Sequence, residues 1–151
     1  MSKKYDIAVC MPCLSRPQRT ARAIESILAQ TANNWQAIII GDNCIDFANI
    51  IKQNRELGDN SWESRAKKAG NDLILMNWAT RCGGYGAAAR NYAIDMNDAR
   101  NLCFLDNDDY FEPDHFKNTL NRIKTIPDGY VDFIVQSTNC RFANYIRHPK
   151  K

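Results

Sequence analysis

The stretch FLDNDD, residues 104–109, crowds the carboxylates of Asp106, Asp108 and Asp109 into four positions. Left unpaired they repel one another, and a bound hard cation relieves that repulsion. Mg²⁺ and Mn²⁺ favour carboxylate oxygens, and Mg²⁺ often completes its shell with substrate phosphates. A solvated turn uses the same residue types, so these residues alone leave both readings open. An EF-hand loop is excluded, because the sixth and twelfth positions, which need Gly and Glu, hold Phe111 and Lys117.

Three other stretches carry chemistry-bearing residues. GGYGAAARN, residues 83–91, puts glycines before a predicted helix, where backbone amides approach an anion closely. It matches neither G-x-G-x-x-G nor a P-loop. Arg90 inside it suits a phosphate or a base edge, or is an exposed helix arginine. Asp42, in IIIGDN, stands at a predicted strand end; it reads a base or ribose, or caps the next turn. Cys10 and Cys13 form a C-x-x-C in VCMPCLSRP, the pattern of a thiol–disulfide site and equally of a nucleotide loop after a first strand. A phosphatase of the haloacid-dehalogenase type is a further alternative for D-x-D. That motif normally follows a first strand with Thr or Val in fifth place, whereas here it follows the fourth strand and Tyr110 is fifth.

The elements that position these residues alternate along the chain. Apolar runs predict strands over 5–11, 35–40, 72–78, 101–105 and 130–136. Helices are expected over 17–30, with Ser15 as N-cap, over 46–57, over 86–100 with Ala89, Tyr92, Ala93 and Met96 inward, and over 113–126, stopped by Pro127. Residues 58–71 read as a polar surface connection. This alternation implies an α/β fold, a three-layer α/β/α arrangement around a mainly parallel, Rossmann-like sheet. Ligands of such sheets collect beyond the carboxyl ends of the strands, and the four chemistry-bearing loops fall there.

Bulk properties narrow the classes. With 151 residues the chain suits one domain. Twenty basic against 17 acidic residues give a net charge of +3, too balanced for a nucleic-acid surface. No apolar run reaches the roughly 18 residues that span a bilayer. Six scattered cysteines without a framework or a second close pair point to a reducing, cytoplasmic setting rather than a zinc site.

Taken in order, MPCLSRPQRTARAIESILAQT, WQAIIIGDNCID, GGYGAAARNYAI and LCFLDNDD resemble the N-terminal part of family 2 glycosyltransferases of the GT-A fold, from about residue 5 to residue 116. The resemblance implies a nucleotide-diphospho-sugar donor, UDP-sugar favoured, held through Mn²⁺ or Mg²⁺. Asp108 would coordinate the metal, and Asp106 would share it or face the ribose, with Asn107 between them on the donor. Asp42 would read the nucleobase and Arg90 would bind on the nucleotide side. Pro12, Cys13, Ser15 and Arg16 would form the loop around the nucleoside. Cys13, Leu14, Ser15 and Gly41 replace the family's usual threonine, aromatic, asparagine and acidic residue.

Relatives normally continue past D-x-D into an acceptor site and a catalytic base. Here Asp128 and Asp132 are the only acids after Asp114, so no base is assigned. The expectation is therefore a single domain over 1–151 that lacks the acceptor-binding part, completed by another segment or chain and acting on a glycan, lipid or protein acceptor. A membrane-associated parent protein is compatible with it. The competing classes are a nucleotide-sugar-binding module without transfer activity and a thiol–disulfide oxidoreductase.

Overall fold

The central strand β1, Tyr5–Cys13, is buried along nearly its whole length. It runs parallel to β2, Trp35–Gly41, on one side and to β4, Ala99–Phe104, on the other, and β2 in turn pairs in parallel with β3, Asp72–Asn77. A computed structural model describes residues 3–126 and the backbone of 131–133 and 146–148. In it the four strands form one sheet in the order β3-β2-β1-β4. Strands shielded on both faces read as continuous apolar runs, which is how β1 and β2 stand in the sequence.

Two cores flank the sheet. On one face α1 (Pro17–Leu28), α2 (Ile45–Arg55), α3 (Trp62–Lys68) and α5 (His115–Ile123) supply Ile24, Ile27, Phe47, Ile51, Trp62, Ala66 and Phe116 to a cluster with Val9, Met11, Cys13, Trp35 and Ile39. On the other, α4 (Ala87–Met96) sets Ala89 and Ala93 against Cys10, Ile38 and Ile40. The three-layer α/β/α reading therefore holds. Cover on the α4 side is partial among the described residues, and Leu102 and Phe104 of β4 stay exposed.

The same two cores decide the C-x-x-C question. Residues three apart on a strand point to opposite faces, and Cys10 and Cys13 lie in the two different clusters. Both thiols are free. Burial pushes Cys10 up to about 11 and Cys13 up to about 12, the reverse of what an attacking thiolate needs. The oxidoreductase reading is overturned.

Several boundaries move. The surface connection expected over 58–71 contains α3, whose Trp62 and Ala66 are buried. Helix α4 ends at Met96, not at 100, because Asn97 turns extended and its Oδ1 accepts from the Ala99 amide at 3.0 Å as β4 begins. Its Tyr92 and Met96 face outward rather than into the core. Arg16, in a left-handed conformation, takes the N-cap place of α1 with no side-chain cap bond, so Ser15 is not the cap; Pro17 follows in the first turn. Helix α5 starts at His115, after Pro113. Of the expected fifth strand, Val131–Phe133 (β5) pairs antiparallel with Ile146–His148 (β6), apart from the main sheet. Residues 130 and 134–136, and Pro127, lie outside the described residues.

Candidate nucleotide-sugar site

From β1 the chain builds outward through β2 and β3, then returns to place β4 on the opposite side. The strand order reverses between β1 and β4, and a crevice opens where the loops beyond these strands diverge. A cleft of about 310 Å³ occupies that position, lined by Pro12, Leu14, Ser15, Arg16, Tyr85, Arg90, Asp106, Asn107 and Asp108. Three separate loops meet there, and seven of the residues expected from sequence are among its walls.

Opposite charges face each other across the cleft. Arg16 pairs with Asp108, and Arg19, one helical turn further along α1, stands 3.7 Å from the same carboxylate. Arg90 pairs with Asp106 and also donates to the Tyr85 carbonyl at 2.9 Å. Asp109, next in the chain, has its carboxyl held above the usual range by burial and then by its neighbours Asp108 and Asp106. Crowded acids of this kind are stabilised by cations, here the arginines.

The loop carrying the acids is tied down from two directions. Asn107 donates its side-chain amide to the Ser15 carbonyl at 2.5 Å and to Thr20 Oγ1 at 2.9 Å, which joins the loops after β1 and β4. Further along, Gln30 of the α1 end donates to the Glu112 carbonyl at 2.8 Å and accepts from the Phe116 amide at 2.9 Å. Ser26 Oγ accepts from the Phe111 amide at 3.0 Å. The acidic turn is thus braced by polar bonds that range from exposed, at Asn107–Ser15, to buried, at Gln30–Phe116.

Two expected residues lie behind the cleft instead of on its wall. Cys13 is buried, with its sulfur 3.4 Å from Thr20 Oγ1 and 3.7 Å from Asn107 Nδ2. Asp42 is buried too, and its two carboxylate oxygens accept from the backbone amides of Cys82 and Gly83 at 2.6 and 2.8 Å. It therefore fastens the glycine loop to the end of β2. Gly41 beside it has a steric reason: a Cβ there would lie 2.1 Å from Asn77 Oδ1, which accepts from the Cys44 amide at 2.9 Å.

Sequence reasoning passed over Arg19, Asn77 and Tyr85. Arg19 follows Arg16 by three positions and so shares its helix face. Asn77 ends β3 beside Gly41. Tyr85 is an aromatic side chain inside a glycine run.

The comparisons agree with this geometry. The glycosyl transferase family 2 profile matches residues 8–151. The chain belongs to that family. A minor teichoic acid biosynthesis protein, GgaB of Bacillus subtilis, is 32% identical over 122 residues, which are 80% of this chain and 12% of that protein. An uncharacterized glycosyltransferase of Acanthamoeba polyphaga mimivirus is 30% identical over 106 residues, 64% of this chain and 40% of the relative. This chain thus spans well under half the length of these relatives. Among solved structures, S. aureus TarS 1-349 in complex with UDP superposes with a TM-score of 0.62 at 18% identity, over 79% of this chain and 32% of TarS 1-349. The UDP-GlcNAc complex gives 0.61 at 19% identity, over 79% of this chain and 31% of that one. At these identities the structural likeness concerns the fold, and it is the GT-A arrangement anticipated from the four motifs.

Proposed function

We propose that the cleft binds a nucleotide-diphospho-sugar, a UDP-sugar in preference, and that the domain serves metal-assisted transfer of the sugar to an acceptor. The observation that carries this reading is the meeting of Arg16, Arg90, Asp106 and Asp108, from three loops, at the strand-order reversal. Family membership supports it, as do the UDP and UDP-GlcNAc complexes of TarS.

The charges suit a diphosphate and a divalent ion together. Exposed ion pairs contribute only about 0–1 kcal/mol each, so Arg16, Arg19 and Arg90 exchange a carboxylate for a phosphate at little cost. Among the described residues no three His, Cys, Asp or Glu side chains gather into a metal site. Mg²⁺ needs only one or two carboxylates when phosphates and water complete its octahedron. Asp108 and Asp106 fit that requirement and are the residues proposed to hold Mn²⁺ or Mg²⁺. The bound ion would stabilise charge on the departing diphosphate. Asn107 and Ser15 keep the two loops in register for the donor, with Pro12 beneath the glycine loop.

Asp42 serves the donor through the loop it holds, each of its oxygens accepting one backbone amide. Acceptor recognition, for a glycan, lipid or protein, is placed on a further segment or chain. The described thiols are free and suit a reducing, cytoplasmic setting, and among the described residues no helix is long and apolar enough to cross a membrane.

Calorimetric titration with UDP, GDP and CDP, with Mn²⁺ and with chelator, tests the proposal. UDP is expected to bind tightest and more tightly with Mn²⁺, and Asp108→Ala to abolish the gain. Equal UDP affinity with metal and with chelator would overturn the metal assignment.

A further inference from the structure

We infer that Tyr85 is the platform on which the donor's nucleobase stacks, an assignment that rests on the nucleotide-sugar reading above. Gly83, Gly84, Tyr85 and Gly86 have φ of 68°, 67°, 52° and 81°, four successive residues of positive φ. Glycine adopts that region freely, whereas a residue with a Cβ, and a bulky one above all, is disfavoured there. Of the four non-glycine residues with positive φ among those described, Asn34 and Asn43 belong to the type that tolerates it. The other two, Arg16 and Tyr85, both line the cleft. Strain retained at a ligand-sized cleft, where glycine would remove it, points to a use for the side chain.

The surroundings of Tyr85 define that use. Its side chain is almost wholly exposed, at 94%, so it adds little to the core. Its backbone is fixed: the carbonyl accepts from Arg90 Nη1, and Gly86 sits so close to Pro12 that a Cβ would lie 2.7 Å from the proline Cβ. The lining of the cleft combines apolar side chains, Pro12, Leu14 and Tyr85, with ionic ones, Arg16, Arg90, Asp106 and Asp108. A nucleoside diphosphate combines the same two characters, in a planar ring and an anionic tail. The ionic groups claim the tail, which leaves the ring to Tyr85. Arg90 joins the two sets, since it holds the Tyr85 carbonyl and pairs with Asp106.

Calorimetry on the full chain with two probes, UDP and inorganic pyrophosphate, both with Mg²⁺, separates ring from tail. Stacking of a base on an aromatic side chain corresponds to roughly a 5- to 150-fold change in affinity. Tyr85→Ala and Tyr85→Gly are expected to weaken UDP binding by about tenfold or more, and to leave pyrophosphate binding unchanged. Tyr85→Phe should keep UDP binding near the wild-type value. Thermal unfolding of Tyr85→Gly should occur at the same temperature or higher, because the strain is relieved. Unchanged UDP affinity in Tyr85→Ala and Tyr85→Gly, or equal losses for UDP and pyrophosphate, would overturn the stacking role alone. A wild-type chain that binds neither probe would overturn the nucleotide-sugar reading and this assignment with it.

Discussion

A carboxylate at the end of a buried strand must find hydrogen-bond donors, and Asp42 finds two in the amides of Cys82 and Gly83. Removing one acceptor oxygen from such a site leaves a part-buried amide facing another donor, at a cost of about 1 kcal/mol, the low end for an unsatisfied group. Asp42→Asn is therefore expected to lower the unfolding free energy by that amount and to speed hydrogen exchange at Cys82 and Gly83. Unchanged exchange at these amides would contradict the fastening role. At this scale the sequence revealed the ionic residues better than the buried ones. Asp106 and Asp108 stood out because three acids crowd one predicted strand end, Arg90 because it follows a glycine-rich stretch, and Arg16 through the resemblance alone. Cys13 was misplaced at the ligand because Pro12 looked like the end of β1. The strand instead runs through Pro12, which pairs with Ile40 of β2 but lies beyond the last pair with β4, so the missing amide of proline is tolerated. Cys13 then shares the inward face of Val9 and Met11.

The elements differ in how clearly they were written. Helices α1 and α5 carry apolar stripes and were anticipated with ends two or three residues too long. Helix α3 carries only Trp62 and Ala66 on its buried side, in an otherwise polar run. Long-range polar bonds secure it: Asn54 Oδ1 accepts from the Trp62 amide, and Glu25 takes both the Trp62 indole and the Arg65 guanidinium. Arg65 holds the Glu25 carboxyl below its usual range. All of these partners lie outside the helix, Asn54 in α2 and Glu25 in α1, so periodicity could not find the helix. Helix α5 supplies a pH test. His115 stacks on Phe111 with ring centroids 4.1 Å apart and lies 3.8 Å from Cys103 Sγ, and burial lowers it from 6.5 to about 4. The unfolded chain therefore binds a proton that the folded chain refuses between about pH 6.5 and 4. Stability should be undiminished above that window and fall through it as pH drops, by roughly 2 kcal/mol after allowance for partial exposure. Urea unfolding of wild type and His115→Phe at pH 7 and pH 4.5 checks this: the gap between the two proteins should shift in favour of the variant at low pH. Parallel losses in both would contradict it.

Over the whole molecule, the proposed function depends on where the sheet reverses its strand order. Alternating strands and helices made the parallel sheet legible, since each apolar run had a helix to carry the chain back. The sequence could not show which strands are neighbours, and so it could not show that the loops after β1 and β4 and the glycine loop before α4 share one cleft. Packing settles that: β1 and β2 are covered by α4 on one face and by four helices on the other. The resemblance to family 2 glycosyltransferases supplied the expectation, and the family match together with the converged loops supports it. The central claim is that this cleft, rather than another surface, receives the nucleotide. Amide chemical-shift mapping during titration with UDP and Mg²⁺ tests it most directly. Saturable shifts are expected at Ser15, Arg16, Gly83 to Gly86 and Asp106 to Asp108, with little change along α3. Saturable shifts clustered elsewhere, or none at these loops, would contradict it.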